Sequence, residues 1–308
     1  MIRRAALLLT AAAAASLASA AQAKGSCDEK CLLSLADRTM TAIAAKDFRS
    51  LPWADPTRYT ENNVGLMIGD AWWGSAGPTA GAKAFALADA ETGNVVWFGT
   101  IWDHDEPAFG AIRIAAPDGK IEGIEVVAGR KSWPIPFGDP KAFAVSSSMT
   151  KPIAAADRRP RQRLIDIADA YLATKQANDG ALLADFAPGC AMTENGVPVT
   201  GVESDYVPKA GDCAAVFKEG LFAPVAHIRD RRFPVVDPDR GLVLAISVQD
   251  IPARDPNFFT TGGKPAKMKR DYPMSRLVAE LVRIEGDKVV RSEAVVTSLP
   301  YRMPTPWK

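Results

Sequence analysis

The sequence predicts an α+β protein in which a helix is followed by a run of antiparallel strands, and it predicts that pattern twice. Three observations carry the prediction. The segment Tyr59-Thr60-Glu61-Asn62-Asn63 returns as Met192-Thr193-Glu194-Asn195-Gly196. Upstream of each lies an amphipathic stretch at helical spacing: Leu33, Ala36, Met40, Ile43 and Ala44 in the first copy, Leu164, Ile167, Ala168, Tyr171 and Leu172 in the second. Further matches recur in the same order: Ala36-Asp37 with Ala168-Asp169, Gly69-Asp70 with Gly211-Asp212, the turn Asp89–Gly93 with Asp237–Gly241, and Glu125 with Glu293. The separation between partners only grows along the chain, which places insertions in the second copy.

The leader sets the compartment. Arg3 and Arg4, the apolar run Ala5–Ala18 and the small-residue site Ala21-Gln22-Ala23 have the order of a secretory signal peptide. The expectation is cleavage after Ala23 and a periplasmic or secreted protein. The run is short for a membrane span and nothing later matches it, so membrane insertion is not expected. With 37 Lys and Arg against 36 Asp and Glu, the charge gives no reason to expect nucleic acid as a partner. Four cysteines in an exported chain suggest two disulfides. Three connectivities are open; proximity favours Cys27 with Cys31 and Cys190 with Cys213. Zinc is the competing reading, disfavoured because there is no CxxC pair and the two histidines are distant.

In chain order, the helical pattern of Cys27–Lys46 is stopped by Leu51-Pro52. Residues 58–68 read as strand or loop, and the Gly/Ala/Pro-rich stretch from Gly69 as a loop or short helix. Hairpins follow at Lys83–Trp102 and at Gly110–Val127, the second turning on Asp118-Gly119. The proline-rich residues 131–160 read as a linker between a first domain, 24–130, and a second, 161–308. The second domain opens with a helix over Pro160–Thr174, and a helical Cys213–Leu221 comes later. Its strands are expected at Val225–Val236, Leu242–Val248, Met274–Ile284 and Lys288–Ser298, with Pro252–Pro273 as a covering loop.

Helices followed by a curved sheet in each half, a Thr-Glu-Asn in each copy, Arg229-Asp230-Arg231-Arg232 and the tail Leu299–Pro304 ending in Trp307 carry a resemblance. Each half resembles the NTF2-like, or SnoaL-like, α+β cone family, and the doubled chain is similar to an exported family of undetermined function. The resemblance spans nearly all of the mature chain. It implies two tandem cones, each a curved antiparallel sheet wrapped on helices, with any site in an apolar cone mouth. It is silent on activity, because this fold hosts isomerases, dehydratases, cyclases, lyases and binding proteins.

Candidate chemistry centres on His227, two residues from Arg229 and so on the same strand face, as a general base with Arg229 stabilising an oxyanion. A salt-bridged strand edge is the plainer alternative. Glu61 with Tyr59 forms a second proton acceptor and donor pair, Arg113 is a further anion stabiliser, and Arg283 occupies what reads as the equivalent strand end. Glu61 and Glu194 are kept in both copies while Tyr59 becomes Met192, which equally suits a structural role for the Glu or Asn. Trp72, Trp97 and Trp102 could line an aromatic pocket or fill a core. His104, flanked by Asp103 and Asp105, reads as a solvated loop or a group at the cone mouth, with Asp103 and Asp250 as equivalents. Glu194 completes the substrate-binding set. No phosphate loop, dinucleotide fingerprint, nucleophile elbow or metal-ligand run is present, so no cofactor or metal is expected.

The sequence therefore supports a cofactor-independent lyase, dehydratase or isomerase, working by proton transfer on a small hydrophobic or aromatic molecule. The alternative is a non-catalytic periplasmic module that binds a ligand or protein. A homo-oligomer is compatible with either. The two separate on one observation: an apolar cavity with His227 or Glu61 pointing in, or cones filled by aromatic side chains with His227 outside.

Overall fold

The computed structural model describes residues 27–81, 84–202, 208–268 and 270–307. The expected signal peptide lies outside them, as does Lys83, the expected start of the first hairpin. Helix α1 (Glu29–Ala45) starts where the Asp28 carboxylate accepts the Cys31 N–H and stops at Lys46, whose φ is 60°. Strands β1 (Trp53–Glu61) and β2 (Val64–Gly65) follow, then the short helix α2 (Trp72–Ser75) and strands β3 (Ala76–Thr79), β4 (Phe85–Asp89), β5 (Asn94–Asp103), β6 (Glu106–Ala115) and β7 (Ile121–Gly129). A connection containing only short turns of helix, among them α3 (Ser147–Thr150), leads to α4 (Arg161–Ala177), β8 (Asp185–Glu194), β9 (Val197–Pro198) and α5 (Cys213–Lys218). The chain ends with β10 (His227–Asp237), β11 (Leu242–Ile251), the small hairpin β12 (Asn257–Phe259) and β13 (Pro265–Lys267), β14 (Met274–Glu285) and β15 (Lys288–Leu299).

Two large sheets result beside the small β12-β13 hairpin, and the two share one connectivity. The first runs β2-β1-β7-β6-β5, with β3 and β4 both on β5; the second runs β9-β8-β15-β14-β11-β10. Neither is purely antiparallel as expected, because β1 pairs with β7 and β8 with β15 in parallel. The strand before each meander returns beside its last strand, and the intervening strands supply the crossover that parallel pairing needs.

The ladders match residue by residue. Thr60 faces Glu125 as Thr193 faces Glu293, so the repeated segment occupies the same place in both sheets. Its asparagines explain the repetition. Asn62-Asn63 and Asn195-Gly196 form two-residue hairpin loops with positive φ throughout. Each first asparagine also mimics a strand backbone. The Asn62 amide exchanges hydrogen bonds with the Ala128 carbonyl and N–H at 3.2 and 2.8 Å, and Asn195 does the same with Val296 at 2.8 and 2.9 Å.

The layers are helix, sheet, sheet, helix. Alternate residues of the first sheet (Val95, Trp97, Ile112, Ile124) pack on α1 and α2. The other face (Val96, Phe98, Phe109, Val127) meets Leu244, Ile246, Leu277 and Val295 of the second sheet. The far face of the second sheet (Val243, Ala245, Val282, Ile284) packs on α4 and α5. Each half thus has its own core on its concave side, and a third core joins the two convex sides.

This register corrects two expected equivalences. Arg113 pairs with Glu125, and the residue opposite Glu293 is Leu281, so Arg283 is two positions off the place of Arg113. Asp103 shares the concave face with Ile101, whereas Asp250 shares the convex face with Val248. Asp103 matches Ile251 instead, each nine residues past the first pair of its hairpin.

The connection is mostly exposed and is pinned at a few points. Phe137 and Phe143 both stand edge-on to Phe109, with ring centroids 5.2 and 5.3 Å away, and Ile135 joins Val278 and Val296. The tail runs back over the first sheet: Asn63 donates to the Pro304 carbonyl, and the Trp307 indole donates to Thr60 and covers Arg113, 4.4 Å from its ring. Gly123 makes room for that indole, since a Cβ there would come within 2.8 Å of it. Disulfides join Cys27 to Cys31 and Cys190 to Cys213. The second ties β8 to α5 and closes a loop of 23 residues, worth roughly 3 kcal/mol on the chain-entropy model.

Candidate ligand groove at the second cone mouth

The first cone is closed by its own side chains. Trp72 is buried beside Trp97, Trp73 is buried against Trp53 and Tyr59, and a Cβ on Gly110 would come within 2.5 Å of the Trp72 ring. Across the mouth, Arg130 bridges Glu61 at 2.7 Å and Asp103 at 2.5 Å, while Asp103 also accepts the Trp72 indole N–H at 2.8 Å. Burial opposes ionisation of Asp103, but the Ser75 hydroxyl and Arg130 together hold its carboxyl below the usual range. Glu61 accepts the Trp72 backbone N–H at 2.9 Å and so caps α2. Tyr59 shares that face; its hydroxyl donates to the Asp70 carbonyl at 3.4 Å, and burial, with Glu61 nearby, pushes its pKa up. Trp102 is half-buried with Lys141 over its ring, and His104 projects into solvent beside Asp103.

The matching positions of the second cone carry no charge, and a groove opens in that half. Trp97, Asp103 and Arg130 correspond to Ala245, Ile251 and Ser298 by the shared register. The groove encloses about 900 Å³ between the cone mouth, the connection at Trp133–Phe137 and the segment around Met268. Its apolar walls include Ile135, Phe137, Val199, Val225, Ile251 and Met274. Asn178, in the left-handed conformation that ends α4, accepts the Phe222 N–H at 3.0 Å and holds that wall in place.

Polar groups gather at its floor, with Glu194 and Arg276 in the lining and Gln249 buried behind them. Asp212 caps α5 through the Ala215 N–H, so Glu194 is spared the capping role of Glu61 and pairs with Arg276 at 2.5 Å. One oxygen of Glu194, Nε of Arg276 and both amide atoms of the fully buried Gln249 have no partner among the described residues. Gln249 and Arg276 are cross-strand neighbours, so these atoms form one patch. Leaving such a group unmet costs about 1–3 kcal/mol.

Phe222 joins this groove to a buried ionic cluster. The Lys175 ammonium lies 5.0 Å from the Phe222 ring centroid and 3.1 Å from Glu280, which also accepts the Tyr171 hydroxyl at 2.6 Å. Full burial favours the neutral acid, but the Lys175 charge and the Tyr171 and Ser292 hydroxyls keep the Glu280 carboxyl below its ordinary value. Burial and the neighbouring Glu280 raise the Tyr171 phenol well above its own. Phe217, with its ring 5.8 Å from Tyr171, completes the aromatic filling.

A family profile described as a domain of unknown function (DUF8021) matches residues 157–296. No curated protein matches the chain. Among solved structures, an NTF2-like protein from Cytophaga hutchinsonii is similar at 12% identity and a TM-score of 0.27, over 45% of this chain and 99% of its own.

His227, Arg229 and Arg113 lie elsewhere. His227 and Arg229 share a strand face, but it is the face opposite Ile228, which enters the second core, so neither points into the cone. His227 is exposed in a cleft of about 770 Å³ formed by β10 and the tail. The arginines there are engaged: Arg229 with Asp250 at 2.9 Å, Arg231 with Asp169 at 3.1 Å, and Arg232 with Glu125 at 2.7 Å. Arg113 holds the same Glu125 at 3.0 Å between the two sheets. The predicted residues therefore fall into four places: Glu61, Tyr59, Trp72, Trp97 and His104 at the first cone, Trp102 on the other face of that sheet under Lys141, His227, Arg229 and Arg113 along the seam, and Glu194 in the groove.

The sequence reading missed Arg276, Gln249, Lys175 and Glu280. Lys175 continues the stripe of Ile167, Ala168, Tyr171 and Leu172 at the i+4 position, where a cation is out of place. Arg276 and Glu280 stand alike on one face of an apolar strand. Among the described residues no three of His, Cys, Asp and Glu converge as a metal site would require.

Proposed function

We propose that this chain is an exported, periplasmic or secreted tandem of two NTF2-like cones, with domains near residues 24–130 and 161–308 joined by the connection between them. In this reading the second cone is a binding module for a small hydrophobic or aromatic molecule. One observation carries it: a roomy, mostly apolar groove lies in the second half, with Ile251 in its wall at the place of the Asp103 that pairs with Arg130 across the first cone. Binding is favoured over the proton-transfer scheme built on His227, because that histidine is exposed and Arg229, Arg113 and Glu61 are engaged in pairs or caps.

A titration with the uncharged fluorescent probe N-phenyl-1-naphthylamine tests it. Saturable fluorescence enhancement is expected, and Val199→Trp, which fills the groove from a half-buried wall, should weaken binding at least about tenfold. Equal binding by the variant would contradict the assignment. One observation favours an enzymatic second reading: Glu194 lines the groove with an unpartnered oxygen, as a base for a lyase, dehydratase or isomerase would. With a substrate in hand, Glu194→Gln would then abolish turnover while the ligand still binds. Turnover that survives the substitution removes that reading.

A further inference from the structure

The head group of the ligand can be read from the groove floor, on the premise that the groove is the binding site. Gln249 is fully buried, and neither atom of its amide has a partner among the described residues. Beside it in the ladder, Arg276 spends one terminal nitrogen on Glu194 and leaves Nε unpaired. Donors and acceptors are thus unmet side by side here, with Gln249 behind the lining formed by Glu194 and Arg276, so the preference for a head group rests on the charges that line the groove.

The charge lining the groove is lopsided in the same sense. Lys131, Lys267, Arg270 and Arg276 face a single carboxylate, that of Glu194, among the described lining residues. Arg270 and Arg276 are close enough to repel: burial chiefly, and Arg276 in addition, make the Arg270 guanidinium harder to keep charged, against the pull of Tyr272. An anion between the two would relieve that repulsion and accept from both guanidinium groups. The walls above it, Ile135, Phe137, Val225 and Met274, offer no polar side chain.

We infer that the ligand is an amphipathic anion, an apolar chain or ring bearing one carboxylate-like head, with the head at Arg276 and Arg270 and the body along the apolar walls. The net positive floor disfavours an apolar amine of the same shape.

Competition against N-phenyl-1-naphthylamine tests this with three ligands of one chain length: decanoate, decanol and decyltrimethylammonium, each below its micelle concentration at fixed ionic strength. Decanoate is expected to displace the probe from the wild-type protein at about tenfold lower concentration than decanol, with decyltrimethylammonium weakest. Because Arg276→Met would strand Glu194 and could unfold the protein, the substitution used is the pair Lys267→Gln and Arg270→Gln on the rim. The decanoate-to-decanol ratio, an internal control within each protein, should shrink to within about twofold in that variant. Equal displacement by decanoate and decanol in the wild type overturns this inference alone, as does a ratio unchanged by the double substitution. Failure of the probe to bind the wild type overturns the groove assignment itself.

Discussion

Asn62 and Asn195 do one job in two places, and they show how far single residues were legible. Their recurrence marked the same hairpin in both halves, and the structural reason is the pair of hydrogen bonds each side-chain amide makes to β7 or β15. Glu61 and Glu194 were equally visible, yet their roles differ because Asp212 caps α5 where Glu61 caps α2. No local pattern announces that exchange. At this scale the buried Lys175–Glu280 pair is the sharpest target. Lys175→Met strands a carboxylate in the core and should cost about 3–5 kcal/mol in denaturant unfolding, while Lys175→Met with Glu280→Leu should recover much of it. The pH dependence has a definite sign. Glu280 titrates below its ordinary 4.5 when folded, so its contribution is complete above that value and is lost as pH falls through the depressed one. Glu280→Gln should therefore flatten the acid limb of stability against pH below about 4.5; an unaltered limb would show that the pair does not govern it.

Elements were more legible than their pairings. The long helices and both meanders stood out by periodicity, whereas the parallel partnership of β1 with β7 joins distant segments and leaves no local mark. Strand β10 shows the other limit. Asp230 at φ 52° sits where the register shifts, and the bulge sends Arg231 toward α4 and Arg232 to Glu125 across the seam. A strict alternation of two cannot foresee that turn. Arg232→Met should therefore destabilise the protein by about 3–5 kcal/mol, since it takes one of two cations from a buried Glu125; a loss below about 1 kcal/mol would mean Arg113 suffices alone. The tail is an element too, though it has no regular structure. Truncation after Thr305 removes the indole over Arg113 and its bond to Thr60. A lower melting temperature is expected, with faster proteolysis of the remaining tail, and an unchanged melting temperature would mark the tail as dispensable.

For the whole molecule, the convex faces of the two sheets form a third apolar core, with Phe98 and Phe109 on one side and Leu244 and Leu277 on the other. Residues 24–145 expressed alone would expose that face, so aggregation or dimerisation is expected, and a stable monomer would show the halves to be independent. Fold class and internal repetition could be read from the sequence because periodicity and turn residues record them. Where the groove lies could not, because it turns on single differences, such as Ile251 at the place of Asp103, whose meaning appears only once the registers are aligned. The most direct measurement is methyl NMR of the Ile-, Val- and Met-labelled protein during titration with N-phenyl-1-naphthylamine. The account predicts shifts concentrated at Val225, Ile251, Met268 and Met274, all in the groove. Shifts centred instead on Ile112 and Ile124 of the first cone, or on Ile246 between the sheets, would contradict it.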